Sequence, residues 1–173
     1  MAIIEKFLGQ RVEVPEDLRY HLDQGLWARK TQGAVVFGLA QPAWVLTGGV
    51  KDMTFLCNDG GQVKTGESVL FAITKKILYI DAPFGGVIRY NKKAQKASAQ
   101  TDTDLYGQAW LFMIRPQGDS DAVYLSLSSP GEYLLSLRKT DGFKNPLGLK
   151  GGVSGMCKAV YSGIGDQAAN RDS

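Results

Sequence analysis

Histidine is nearly absent from this sequence: His21 is the only one among 173 residues. A multi-histidine metal centre is therefore excluded, and no metal site is expected. Cysteine is almost as scarce. Cys57 and Cys157 are too few for a disulfide framework, and a reducing, cytoplasmic setting is the simplest reading. No apolar run approaches the roughly 20 residues that span a bilayer. The opening MAIIEKFLGQRVEVPEDL mixes charge into short apolar pieces and does not read as a secretory signal. A net charge of +3 is too mild to argue for nucleic acid. Neither a membrane nor a nucleic-acid partner is expected.

What the chain does have is a 44% hydrophobic composition, enough for a real core, and 21 glycines, enough for many turns. LWARK (26–30) and AVVFGLA (34–40), separated by Thr31-Gln32-Gly33, read as a β-hairpin. MTFLC (53–57) precedes the turn Asn58-Asp59-Gly60-Gly61. QVKTGESVLFAI (62–73), KILYI (76–80), GVIRYN (86–91), WLFMIRP (110–116) and AVYLSLS (122–128) read as further short strands. Gln41–Leu46 reads as a short helix or turn, and EYLLSLRKT (132–140) as a helix with Tyr133, Leu134 and Leu137 on one face. Short strands with closely spaced turns predict a small all-β sandwich or barrel. Val69, Phe71, Ile77, Tyr79, Val87, Trp110 and Phe112 are the expected core or hairpin-packing residues.

Few residues carry chemistry. Lys75 and Lys76 interrupt the apolar run FAITKKILYIDAPFGGVI (71–88). A hairpin tip lifts a side chain clear of the sheet, so this pair is either a solvated turn or a lysine displayed for acylation. An acyl group on such a lysine gains a high effective concentration at whatever site the tether reaches. His21 reads as a surface or partly packed residue and Cys57 as a small core residue. Cys157 lies between glycines with Lys158 beside it, and reads as structural in the tail. Lys92, Lys93 and Lys96 form a solvated loop. Ser154 in GGVSG lacks a strand–elbow–helix context, and LGLKGG (147–152) lacks the ending of a phosphate loop. No catalytic residue is expected.

Three blocks in order resemble the H protein of the glycine cleavage system, within the biotinyl/lipoyl-carrier superfamily. They are VPEDLRYHLDQGLWAR (14–29), QVKTGESVLFAITKKILYIDAPFGGVI (62–88) and DLYGQAWLFMIRP (104–116). The resemblance implies a mainly β barrel-sandwich hybrid of two small antiparallel sheets with short flanking helices. It divides the chain into a lead segment (1–13), a carrier domain (14–140) and a glycine-rich tail (141–173). It also implies a carrier and not an enzyme, with lipoate joined to a tip lysine by an amide, moving an intermediate or electrons between partner enzymes. The implied partners are a lipoate ligase or lipoyl transferase, together with the decarboxylase, aminomethyltransferase and dihydrolipoyl dehydrogenase of glycine cleavage, or enzymes of sulfur oxidation. The alternative is a non-acylated relative acting as an interaction or assembly module.

Counting back from Ala82-Pro83 selects Lys75 as the attachment point; counting forward from Gly66-Glu67 selects Lys76. Lys75 is preferred, because the return strand is the better match. The counts differ by one, so the hairpin is one residue short, with the deletion at the tip or absorbed by a bulge. The family's glutamate three before the lysine is Ala72, and only Trp27 remains of its His-x-Trp element.

Overall fold

Alternating apolar residues and glycine turns build most of the chain into antiparallel strands. The computed structural model describes residues 1–95 and 104–149. In chain order the elements are β1 (Ala2–Phe7), β2 (Gln10–Val14), β3 (Arg19–His21), β4 (Leu26–Thr31), β5 (Ala34–Leu39) and α1 (Gln41–Thr47). Then come β6 (Asp52–Phe55), β7 (Gln62–Val63), β8 (Ser68–Ile73), β9 (Ile77–Asp81), β10 (Gly86–Tyr90) and a 3₁₀ turn at Lys92–Gln95. β11 (Phe112–Arg115), α2 (Ser120–Leu125), α3 (Pro130–Leu137) and α4 (Asp141–Lys144) complete them. A six-stranded sheet runs β3-β4-β5-β11-β10-β7, a three-stranded sheet runs β6-β8-β9, and β1-β2 is a separate hairpin. The expected mainly β architecture with short helices is the one present.

The core lies in two clusters, and β4 explains why. Leu26, Trp27 and Ala28 are consecutive in a strand, yet all three are fully buried. Successive side chains point to opposite faces, so both faces of the sheet must be covered here. Leu26 and Ala28 pack in one cluster with Phe37, Leu70, Ile80, Ile88 and Phe112. Trp27 packs in the other with Phe7, Val12, Tyr20 and Tyr133, supplied by the β1-β2 hairpin, β3 and α3. Each large side chain so buried contributes about 1.5–3 kcal/mol. The segment 1–13 is thus strand structure whose side chains cover the second face of the sheet.

Two expectations need correction. Residues 122–128 do not form a strand: 120–125 are helix α2, because the Asp119 side chain accepts a hydrogen bond from the Asp121 N–H and caps it. Of the residues expected in the core or in hairpin packing, Ile77 and Tyr79 are not core, being 56% and 57% exposed, and the Tyr79 ring meets Phe71 across the hairpin at 5.8 Å. The inward positions of β9 are Leu78, which is half-buried, and the buried Ile80. The run 62–73 also divides. β7 joins the six-stranded sheet, a turn with Gly66 at φ 83° follows, and β8 begins the other sheet.

Candidate functional site

The tip is set by the register of β8 against β9. The pairs are Ile73↔Ile77, Ala72↔Leu78, Phe71↔Tyr79 and Leu70↔Ile80, followed by Ser68↔Asp81 with an irregularity between Ser68 and Leu70. One residue, Val69, is therefore extra in β8, a bulge near the hairpin's base. From the bulge to the tip the pairing is uninterrupted, and it is centred on residue 75. Thr74, Lys75 and Lys76 make the connecting loop, with Lys75 at its apex.

Thr74 closes that loop. Its N–H donates to the Lys76 carbonyl at 2.8 Å and its hydroxyl to the same oxygen at 2.9 Å. The Lys76 N–H donates back to Thr74 Oγ1 at 3.3 Å. Thr74 is buried at 4% exposure while both lysines are exposed. The Lys75 N–H reaches the Thr47 carbonyl at 3.4 Å, and the Lys75 stem lies over Gly48, where a Cβ would come within 2.7 Å of Cε. Gly48 is the left-handed C-cap of α1, at φ 79°. The apex lysine thus starts from the end of α1, whereas both backbone polar groups of Lys76 are occupied by Thr74.

The base of the hairpin is anchored at several points. Gly66 N–H donates to the Ala82 carbonyl at 2.9 Å and Ala82 N–H to the Glu67 carbonyl at 2.8 Å. Gln24, in the β3-β4 turn, bonds both backbone groups of Asp81, at 3.0 and 2.6 Å. A Cβ on Gly86 would strike the Arg115 carbonyl and the Ile114 side chain, so this position tolerates no side chain. Ala72 is 1% exposed and faces the core, so the position where the resemblance expects a glutamate presents nothing to solvent.

Beside the tip is a cleft of about 360 Å³ between β9, α1 and α3, lined in part by Asp23, Leu46, Thr47, Leu78 and Tyr79. Tyr133 also lines it, with its hydroxyl buried near the Ala43 backbone. Burial pushes this phenol's pKa upward. Sequence reasoning missed the cleft, although the Gly48-Gly49 pair ending α1 is a readable sign of close approach.

The other candidates stay apart from the tip. His21 Nδ1 lies 3.4 Å from Gln24 Nε2, and among the described residues no group of acidic, histidine and cysteine side chains is arranged to hold a metal. Cys57 is half-buried with Sγ 3.6 Å from Glu67 Oε2, and burial raises its thiol pKa. Lys92 lies 3.8 Å from Asp59, and Lys93 is exposed. Lys96, Ser154, Cys157 and Lys158 lie outside the described residues.

A six-stranded and a three-stranded antiparallel sheet, with a lysine at the apex of a hairpin in the smaller one, define a carrier domain of the biotinyl/lipoyl class. No family model matches the chain. The glycine cleavage system H protein of Anaeromyxobacter sp. (strain K) is 34% identical over 112 residues, covering 64% of this chain and 86% of that protein. A probable glycine cleavage system H protein of Aeropyrum pernix is 30% identical over 135 residues, covering 76% and 90%. The crystal structure of an H protein from Mycobacterium marinum superposes with a TM-score of 0.54 at 28% identity, covering 69% of this chain and 95% of that one. The chain belongs to the glycine cleavage system H protein family.

Proposed function

We propose that the chain is a lipoyl carrier of the H-protein type, with Lys75 as the attachment point. The observation that carries this is the hairpin register, whose centre falls on residue 75. Lys76 is the alternative, but its backbone closes the loop against Thr74. When bound, lipoate supplies a dithiolane that undergoes thiol–disulfide exchange and carries a group or electrons. The chain's own part is to display the amine, keep its base rigid and offer a recess. Lys75 would hold the group through an amide, and the cleft walls at Leu46, Leu78 and Tyr133 would shelter it between partners. An exposed lysine beside a mostly apolar recess fits such a group.

The partners that follow are a lipoate ligase or lipoyl transferase, then the decarboxylase, aminomethyltransferase and dihydrolipoyl dehydrogenase of glycine cleavage. Sulfur-oxidation enzymes are the other setting. None of the described helices is long and apolar enough to cross a membrane.

Intact-mass spectrometry after incubation with lipoate, ATP and a lipoate–protein ligase, or after co-expression with a lipoyl transferase, tests the reading. Wild type and Lys76→Arg gain one lipoyl mass, and Lys75→Arg gains none. A wild type left unmodified by both systems makes the chain a non-acylated interaction module instead.

A further inference from the structure

The outer face of the carrier hairpin is apolar and uncovered among the described residues. Register sets Thr54, Phe71 and Tyr79 in one row across the three strands, and Asp52, Ile73 and Ile77 in the next row toward the tip. The residues between them, Met53, Ala72 and Leu78, turn inward. Phe71, Ile73, Ile77 and Tyr79 therefore form one contiguous block, with the Phe71 and Tyr79 rings 5.8 Å apart. Ile77 and Tyr79 are more than half exposed, at 56% and 57%. A block of this kind gains nothing from water and marks an interaction surface. Three exposed cations fringe its tip end: Lys51, whose N–H donates to the Ile73 carbonyl at 2.7 Å, with Lys75 and Lys76. None of the three is in an ion pair among the described residues. Asp52 is the one carboxylate in the two rows.

We propose that this face docks the enzyme that acylates the tip lysine, through a complementary apolar surface bordered by carboxylates. The proposal rests on the lipoyl-carrier reading. An enzyme acting at the far end of a long arm need not touch the strands beneath it. An acylating enzyme must bring the lysine amine itself to its acyl donor, so it has to accept the tip and the strand residues next to it. There the neutral Lys75 Nζ forms an amide with the carbonyl carbon of the activated donor, the leaving group departs with the electron pair, and the amine gives up a proton. The block begins two residues from Lys75 on each strand, at Ile73 and Ile77, and its free cations match a carboxylate border, which favours fast and correctly oriented encounter.

The test measures initial rates of lipoyl transfer by a purified lipoate–protein ligase, read by intact mass, against the concentration of full-length chain. Ile77→Ser raises the KM for the chain about tenfold with kcat nearly unchanged, the loss of one well-buried interface anchor. Lys51→Glu raises KM in the same direction, and added salt raises the wild-type KM. Leu125→Ser, at a site on α2 that is 61% exposed, leaves both constants unchanged. Thermal melts accompany each variant; if Ile77→Ser is unfolded, Lys51→Glu carries the test. A wild type that is loaded, with KM unaltered in Ile77→Ser and Lys51→Glu, overturns the docking proposal and leaves the carrier reading intact. A wild type that is never loaded removes the carrier reading, and the docking proposal with it. A dimer that Ile77→Ser dissolves in sedimentation equilibrium, with KM unaltered, assigns the face to a second copy and also overturns the proposal.

Discussion

Thr74 and Gly48 together determine where the apex amine starts. The Thr74 hydroxyl bonds both backbone groups of Lys76, and Gly48 clears the floor under the Lys75 stem. Thr74→Val keeps the shape and β-branching but removes the hydroxyl. It lowers unfolding stability by about 1 kcal/mol, the net worth of a partly buried hydrogen-bonded group, read as a reduced urea midpoint at unchanged m-value. Gly48→Ala costs about 1–2 kcal/mol for a left-handed alanine. It also displaces the Lys75 stem, so its loading rate falls further than that of Thr74→Val. At this scale the sequence was legible up to a one-residue ambiguity. Spacing singled out a pair of adjacent lysines, but anchors on the two strands gave two answers. The pairing of Ile73 with Ile77 takes the measure from the tip itself.

Among the elements, those with a strong local signal matched their sequence expectation. The β4-β5 hairpin appears where Thr31-Gln32-Gly33 predicts its turn, and α3 where the spacing of Tyr133 and Leu137 predicts a helix. The failures share a cause. In 122–128, Val123, Leu125 and Leu127 alternate as in a strand, but Asp119 supplies a helix cap, and local capping prevails over a pattern that buries little. Ile77 and Tyr79 look like core by composition, and only the register shows that they face outward. Helix α3 carries a capping box that was readable in Ser129-Pro130-Gly131-Glu132: the Glu132 N–H donates to Ser129 Oγ at 3.2 Å, and the Ser129 N–H to Glu132 Oε1 at 2.8 Å. Ser129→Ala is expected to cost about 1 kcal/mol. The Ser129 backbone and hydroxyl hold the Glu132 carboxyl below its ordinary value of 4.5. A carboxyl depressed in the folded state stabilises above its unfolded pKa and loses that contribution as pH falls through the folded value. The difference between Glu132→Gln and wild type in urea midpoint should therefore be full at pH 6 and shrink at acid pH, below about 4.

Over the whole molecule, the second cluster ties together segments that are distant in the chain. Tyr20 stacks on Tyr133 at 4.5 Å, joining β3 to α3, and the Tyr106 hydroxyl accepts from the Gln41 N–H at 2.9 Å. Periodicity could not reveal this, because the contacts link segments far apart in the chain, 65 residues for Gln41 and Tyr106 and more than a hundred for Tyr20 and Tyr133. The tyrosines buried there share a titration. Burial is the leading cause that raises the pKa of Tyr20, Tyr106 and Tyr133 above the ordinary 10.0. The folded chain thus keeps its phenolic protons to higher pH than the unfolded chain does. Unfolding releases protons above about pH 10, so stability is full below that pH and falls as pH rises toward the folded values. Tyr133→Phe isolates one of these groups. At neutral pH the variant stays within about 1 kcal/mol of wild type, since the hydroxyl has at most a weak bond to the Ala43 backbone to lose. Between about pH 10 and 11 the wild type loses stability faster than the variant, by about 1 kcal/mol over that unit for one proton. Urea unfolding of both chains across that range checks it: parallel pH profiles would mean that the Tyr133 phenol ionises as easily in the folded chain as in the unfolded one, and that the α3 face of the cleft is open to water.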